Sequence, residues 1–124
     1  AMTAVLGLDR ARLQQVLSGA GLDGVDIANL NTPGQIVISG DAEQVKRAAP
    51  LIQSAGARAC IPLPVSGAFH SHLMQQVEAE FARFLTGFSF APPQVPVISN
   101  VTARAYLPDD IGNQIARLLS RSAM

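Results

Sequence analysis

The alternation of apolar runs over residues 2–63 is the feature that most restricts how this chain can fold. Strand-like runs and helical stripes follow one another in the order β-α-β-β-α-β. Between the second and third strands, Thr32-Pro33-Gly34 places Pro and then Gly where a type II turn requires them, which predicts a hairpin. The predicted strands are residues 2–8, 25–29, 35–39 and 57–63.

Local signals predict where the two helices between these strands begin and how the second one is interrupted. Asp9 stands at a position suited to an N-cap, just before the first apolar stripe. Asp41 and Gln44 have the spacing of a capping box for the second helix. Pro50 removes one backbone hydrogen bond from that helix, so we expect a kink or a restart near Ala49.

The second part of the chain has a different pattern, and we expect a boundary near residues 63–65. Two amphipathic helices are predicted on either side of one apolar strand, Val95–Ser99, which Pro96 confines to an edge or a strand start. The first helix has an apolar stripe of Leu73, Val77, Phe81, Phe84 and Leu85. The predicted buried face of the second helix is formed by Ile111, Ile115, Leu118 and Leu119.

Composition and charge argue against several kinds of partner and site. Nine basic and nine acidic residues cancel, so the chain has no positive excess with which to neutralise nucleic-acid phosphates. No apolar run approaches the ~20 residues that a membrane-spanning helix needs, and no signal-peptide pattern is seen. The single cysteine, Cys60, suits a reducing cytoplasm and is interpreted as a buried, inert thiol. Two histidines and one cysteine predict no metal cluster.

Both histidines lie in one segment, Val65–Met74, between the two parts of the chain. Phe69 and His70 come just before a helical pattern begins, and an imidazole beside a bulky apolar residue at such a junction is a place for acid–base chemistry. A capping or packing role is the other interpretation of a histidine at a helix start. The residue pattern by itself leaves both interpretations open.

Several stretches resemble, in order and spacing, the acyltransferases that load malonyl groups onto acyl carrier proteins. These enzymes are the malonyl-CoA:acyl carrier protein transacylases of fatty-acid synthesis and the acyltransferases of polyketide synthases. The family's Gly-His-Ser-x-Gly nucleophile segment and the arginine that follows it are not found here, so the resemblance is to the second part of such an enzyme. The matching stretches are residues 1–8, 28–40, 63–66, 67–71 with Leu73-Met74, and 97–102.

The resemblance implies an α+β fold with two parts. Residues 2–63 would form the family's ferredoxin-like βαββαβ small subdomain, which agrees with the element order read from the pattern. Residues 64–124 would form an α/β segment of its α/β-hydrolase-like large subdomain and carry the catalytic histidine loop. The chain would then be a fragment that is inactive alone, because the nucleophilic serine lies on a missing N-terminal part.

The resemblance also implies an activity. A malonyl group would pass from CoA to a serine and then to the phosphopantetheine thiol of an acyl carrier protein, with no bound cofactor. His70 would be the general base for both steps, whereas His72 is interpreted as a solvent-facing residue of the first helical turn. Two alternatives remain open: an acyl carrier protein hydrolase on the same scaffold, and a non-catalytic ferredoxin-like binding module.

Two groups of residues are candidates for substrate contacts. By resemblance, Gly67, Ala68 and Phe69 sort malonyl from methylmalonyl groups, because a phenyl ring leaves no space for a branched methyl; the alternative is that Phe69 only fills a core. Gly67 departs from the histidine that is common at that place. Asn29, Asn31 and Gln35 flank the predicted turn, and their amides suit phosphopantetheine or the acyl group as well as ordinary turn chemistry.

Overall fold

The computed structural model describes residues 1–123 and confirms the order of elements predicted for the first part of the chain. Both helices there begin directly after their predicted caps, whereas the second strand is longer, and the first and fourth strands are shorter, than expected. The elements are β1 (Met2–Leu6), α1 (Arg10–Gly19), β2 (Val25–Thr32), β3 (Gln35–Gly40), α2 (Ala42–Ser54), β4 (Ala59–Pro62), α3 (Gln75–Leu85) and α4 (Ile111–Arg117).

The four strands form one antiparallel sheet in the order β2-β3-β1-β4, so the fold of this part is mixed α/β with β2 at an edge. Alternate side chains of each strand point to opposite faces. One face packs on α1 and α2 around Val5, Leu13 and Ile52, none of which is exposed. Each such side chain contributes about 1.5–3 kcal/mol by leaving water. The amphipathic patterns thus produce a well-formed core on this face.

The opposite face of the sheet is covered by the segment that follows β4. Met2, Ala4 and Val37 are buried on this face. Leu63 and Phe69 pack against them from the segment between β4 and α3. The apolar alternation of β1 therefore serves both faces, and the histidine segment is drawn onto the sheet by burial of its own apolar side chains.

The capping box predicted for α2 is only half formed. The Asp41 side chain accepts from the backbone N of Gln44 at 3.0 Å, as expected of an N-cap. The return bond is absent, because Asp41 N donates to the Gly24 carbonyl at 2.9 Å and the Gln44 Oε1 accepts from Gly24 N at 2.9 Å. Gly24, which directly precedes β2, lies beside the start of α2 and supplies both partners. The predicted cap at Asp9 is confirmed, with a 2.8 Å bond from the Arg12 N.

The predicted type II turn is wrong, and the restart that was one expectation for Pro50 is not seen. Thr32 and Gln35 pair around a two-residue turn, but Gly34 has no positive φ, so the turn is not type II. A type I turn accepts Pro at the same position and requires no positive φ after it. The second helix runs without a restart through Pro50. Pro50 and Lys46 are both exposed, so the Lys46 carbonyl that lacks a helical partner lies on the solvent side.

The strand predicted at Val95–Ser99 is wrong for the described residues, where only an isolated bridge joins Ile98 to Ala105. A strand needs a neighbouring strand to satisfy its backbone groups. None is seen beside this segment within residues 1–123, and Val95 remains 67% exposed.

The apolar stripes of α3 and α4 are largely uncovered within the described residues. Phe84 is 62% exposed, and no residue of α3 is buried. In α4 the buried residues are Gln114 and Ala116, whereas the predicted apolar face, Ile111, Ile115, Leu118 and Leu119, is only partly covered. Little of the second part therefore packs as a core within the described residues.

The last described residues attach to the free edge of β2. Leu30 N donates to the Ala123 carbonyl at 2.9 Å, and Ala123 N donates to the Ala28 carbonyl at 2.7 Å. The Ser122 hydroxyl donates to the Ile27 carbonyl at 2.6 Å. These bonds bring residues 119–123 against the histidine segment. Among the helices of residues 1–123, none has the apolar length to cross a bilayer.

Candidate active site

His70 lies between β4 and α3 in a strained backbone conformation. Its φ is +62°, in the left-handed region that residues other than glycine rarely occupy. Such a residue costs about 1–3 kcal/mol and persists only where its surroundings enforce it. The backbone N of His70 donates to the Leu119 carbonyl at 2.9 Å, which ties the strained residue to the segment after α4.

The imidazole of His70 is oriented by a backbone carbonyl. Its Nδ1 lies 3.0 Å from the Arg121 carbonyl oxygen. Because a carbonyl oxygen only accepts, Nδ1 carries the proton of this hydrogen bond. In the neutral ring Nε2 is then left with a free lone pair, which is the state in which a histidine accepts a proton as a general base.

His70 lines an open cleft of about 290 Å³ between α1, β2 and the histidine segment. Its walls are mostly polar, which suits a reaction site more than an apolar ligand. The side chains that line it include Arg10, Gln14, Asp26, His72 and Arg121. A larger and more apolar cavity of about 450 Å³ lies beside the β2–β3 hairpin and shares Arg10 with the cleft, but His70 does not line it.

His72 is not the simple solvent-facing residue that the sequence suggests. Its side chain is 44% exposed, yet both its backbone N and its ring Nδ1 lie 2.6 Å from Oδ2 of Asp26. Asp26 belongs to β2, so this pair connects the start of the helical segment to the sheet. The sequence analysis missed Asp26, whose only signal is a charged residue within a predicted strand.

Phe69 packs against the sheet face described above and is partly buried. A Cβ added to Gly67 would lie 3.0 Å from the Phe69 ring, so the glycine leaves room for that ring. The Ala68 carbonyl accepts from the Ser71 hydroxyl at 2.6 Å, which closes the turn before His70. These three candidates therefore share one compact turn, although none of them lines the cleft that contains His70.

The amide candidates are not brought into the His70 cleft. Asn29 is partly buried on β2 and forms a parallel bridge with Ala123. Asn31 lines the larger cavity beside the hairpin, and Gln35 is exposed at the start of β3.

The described residues offer neither a metal centre nor a reactive thiol. No cluster of three or more His, Cys, Asp or Glu residues within positions 1–123 has the spacing to hold a metal ion. Cys60 is only partly buried, and this burial raises the pKa of its thiol, which favours the protonated and unreactive form.

No protein-family model matches the chain, but curated relatives do. It is 42% identical over 122 residues to the polyketide biosynthesis malonyl CoA-acyl carrier protein transacylase PksC of Bacillus subtilis, which is 98% of this chain and 42% of that protein. It is 49% identical to the polyketide biosynthesis protein ThaF of Burkholderia thailandensis, over 89% of this chain and 10% of that protein. The malonyl CoA-acyl carrier protein transacylase of B. subtilis is 47% identical over 83% of the chain and 33% of its own length.

Solved structures agree with these relatives. A malonyl CoA-acyl carrier protein transacylase from Burkholderia pseudomallei superposes with a TM-score of 0.93 and 38% identity, over 99% of this chain and 42% of that one. A malonyl-transacylase in complex with a type II polyketide synthase acyl carrier protein gives a TM-score of 0.92 and 33% identity, over 99% of this chain and 40% of that one. By sequence and by fold, the chain is a member of the malonyl CoA-acyl carrier protein transacylase family, and it spans about two fifths of the length of PksC and of these structures.

Proposed function

We propose that this chain is part of an acyltransferase that moves a malonyl group from CoA to an acyl carrier protein, with His70 as the general base. The observation that carries the proposal is the state of His70. Its backbone is held at φ +62°, its Nδ1 is bonded to the Arg121 carbonyl, and its Nε2 is left free to accept a proton. A ring fixed in this way suits repeated proton transfer to and from one position.

The reaction has two halves, and in each of them the same imidazole accepts a proton and then gives it up. In the first, Nε2 takes the proton of a serine hydroxyl while the serine oxygen attacks the malonyl thioester. The carbon–sulfur bond breaks, and the CoA sulfur leaves with that proton. In the second, Nε2 takes the proton of the phosphopantetheine thiol, and the sulfur attacks the malonyl ester. The ester carbon–oxygen bond breaks, and the proton returns to the serine oxygen that leaves. In this proposal the serine lies in a segment outside these 124 residues.

In the proposed architecture, the chain contributes to two subdomains of the longer enzyme. Residues 2–63 form the ferredoxin-like small subdomain, and the strand order β2-β3-β1-β4 with both helices on one face supports this. Residues 64–124 form part of the α/β-hydrolase-like large subdomain and carry the His70 loop. The exposed apolar side chains of the second part, such as Phe84 and Val95, support its packing against more protein.

The reacting groups are the thioester of malonyl-CoA and the phosphopantetheine thiol of a carrier protein. Because both belong to the substrates, the proposed reaction needs no bound cofactor. The solved complex of a similar malonyl-transacylase with its carrier protein supports this partner. Hydrolysis is the rival outcome on the same scaffold, because water can replace the thiol in the second half of the reaction.

The test is an assay on the longer protein that contains this chain. Labelled malonyl-CoA is incubated with and without a holo acyl carrier protein, and malonyl carrier protein and free malonate are both measured. We expect malonyl carrier protein as the main product, and none from the 124-residue chain alone. Free malonate as the main product in the presence of carrier protein would favour hydrolysis. If neither malonyl carrier protein nor free malonate is formed, the proposal is contradicted and a binding module is favoured.

A second expectation concerns acyl selectivity. We expect Phe69→Ser in the longer protein to raise the methylmalonyl-to-malonyl ratio of kcat/KM, by at most the ~10–200-fold that one methyl group supplies. The ratio is the measured quantity because loss of Phe69 packing against the sheet weakens the protein for both substrates alike. Phe88→Ser, at a phenylalanine that is 54% exposed, is the matched control. An unchanged ratio would leave Phe69 with a packing role alone.

A further inference from the structure

Asp26 joins the edge strand of the sheet to the segment that carries His70. Its Oδ2 receives two hydrogen bonds of 2.6 Å, one from the backbone N of His72 and one from the ring Nδ1 of His72. Both nitrogens donate, because an ionised carboxylate only accepts. One oxygen thus holds the main chain and the side chain of a residue two positions after His70.

The other side of His70 is fixed to the same strand. The Ser122 hydroxyl donates to the Ile27 carbonyl at 2.6 Å, and Ala123 N donates to the Ala28 carbonyl at 2.7 Å. These residues come directly after Arg121, whose carbonyl oxygen orients the His70 ring. Residues 26–28 of β2 therefore hold both the chain that follows His70 and the acceptor that orients its imidazole.

This double attachment accounts for how His70 stays in an unfavourable conformation. A histidine at φ +62° occupies a region that non-glycine residues adopt only rarely, and it persists there where the surrounding structure holds it. The Ser71 hydroxyl bond to Ala68 closes the turn only locally. Of the side-chain bonds seen between residues 68–74 and the sheet, the two that His72 donates to Asp26 are the ones that anchor this turn.

We infer that Asp26 is a positioning residue: by holding His72, it keeps His70 in the conformation in which Nδ1 reaches Arg121 and Nε2 stays free. The structural part of this inference concerns this chain alone, and its kinetic part rests on the proposed role of His70 as the base. The rival is that His72 is itself the base, since an aspartate bonded to Nδ1 of a histidine is also part of a serine-hydrolase triad.

The structural part is tested on the 124-residue chain by NMR of its two imidazoles. Two-bond ¹H–¹⁵N correlations should show His70 mainly as the Nδ1–H tautomer in the wild type. In Asp26→Ala we expect a mixture of tautomers and at least tenfold faster exchange of the His70 amide. Asp23→Ala, at an exposed acid three residues earlier, should change neither. An unchanged His70 tautomer and amide in Asp26→Ala would overturn the inference.

The conservative variant Asp26→Asn separates positioning from charge. Both donors of His72 share one oxygen of Asp26, so the single amide oxygen of asparagine suffices to accept both bonds. If Asp26 positions His70, Asp26→Asn should therefore restore most of the wild-type tautomer. An Asp26→Asn chain that resembles Asp26→Ala would show that the charge matters and not the shared acceptor oxygen, and it would overturn the positioning role.

The kinetic part is tested in the longer protein. Displacement of a catalytic group by ~1 Å costs about 10²-fold, so we expect Asp26→Ala to lower kcat about 10²-fold with little change in KM, and Asp26→Asn to keep most of the activity. If instead His72 is the base, His72→Ala should reduce kcat more than His70→Ala does, and Asp26→Asn should be as impaired as Asp26→Ala. An unchanged kcat in Asp26→Ala would also overturn the inference. If the longer protein transfers no malonyl group at all, the proposed function fails, and the NMR result still decides whether Asp26 positions His70.

Discussion

Replacing His70 with alanine should reduce malonyl transfer by the longer protein about 10²–10⁴-fold, the usual cost of losing a general base. Without the imidazole, neither the serine hydroxyl nor the phosphopantetheine thiol has an acceptor for its proton. The effect should fall on kcat, because substrate contacts elsewhere remain. The measurement is the steady-state rate of malonyl carrier protein formation, with Gln53→Ala on the exposed side of α2 as a control.

The strained backbone of His70 requires a second variant for a clean interpretation. Alanine at φ +62° keeps the strain and removes the ring, whereas glycine accepts that φ without cost. His70→Gly and His70→Ala should therefore be equally inactive, although His70→Gly should be the more stable of the two. A His70→Gly protein with activity near that of the wild type would show that the ring is not the base and that alanine acts through misfolding.

Amide hydrogen exchange of the isolated chain should differ by orders of magnitude between its two parts. Backbone amides of the central strand β1 open only with the whole sheet, and a domain stability of ~5 kcal/mol corresponds to a protection of roughly 10³–10⁴-fold. Ala59 to Ile61 in β4 pair with β1 and should also exchange slowly. In the second part, Val95, Val97 and Ile98 lie outside any strand and should exchange nearly freely in a dilute monomer.

Because the second part exposes large apolar residues, its hydrogen exchange should depend on protein concentration. Val95 is 67% exposed, Leu107 is 65% exposed and Phe84 is 62% exposed, and large apolar side chains left in water favour association. Protection of residues 95–98 that disappears on dilution would therefore also agree with the expectation. A dilute monomer equally protected in both parts would show that the second part has a complete core of its own, and the proposal that it needs further protein would be wrong.

The features that the local sequence predicted correctly depend on interactions between residues close together in the chain. The order of strands and helices in residues 2–63 follows from hydrophobic periodicity, and the cap at Asp9 follows from a bond that spans three residues. The predicted turn type was wrong because Pro followed by Gly is compatible with both type I and type II turns. Nothing in the sequence requires the positive φ at Gly34 that a type II turn needs, and Gly34 does not adopt it.

Where partners are distant in the chain, local patterns were a poor guide. The Gln44 side chain bonds to Gly24 and not to its own helix start, because the two segments meet only in the folded sheet. Val95–Ser99 has the composition of a strand but forms none, because composition cannot supply a neighbouring strand.

The candidate site shows the same division between sequence and tertiary structure. The sequence by itself determined that an imidazole stands at a junction between a loop and a helix, and resemblance assigned it a role. Only the tertiary structure decided its state, through the carbonyl oxygens of Leu119 and Arg121 and through the carboxylate of Asp26. A backbone carbonyl has no side-chain signature, and Arg121 lies 51 residues from His70 along the chain. Such contacts exist only once folding has brought β2, the histidine segment and the last described residues together.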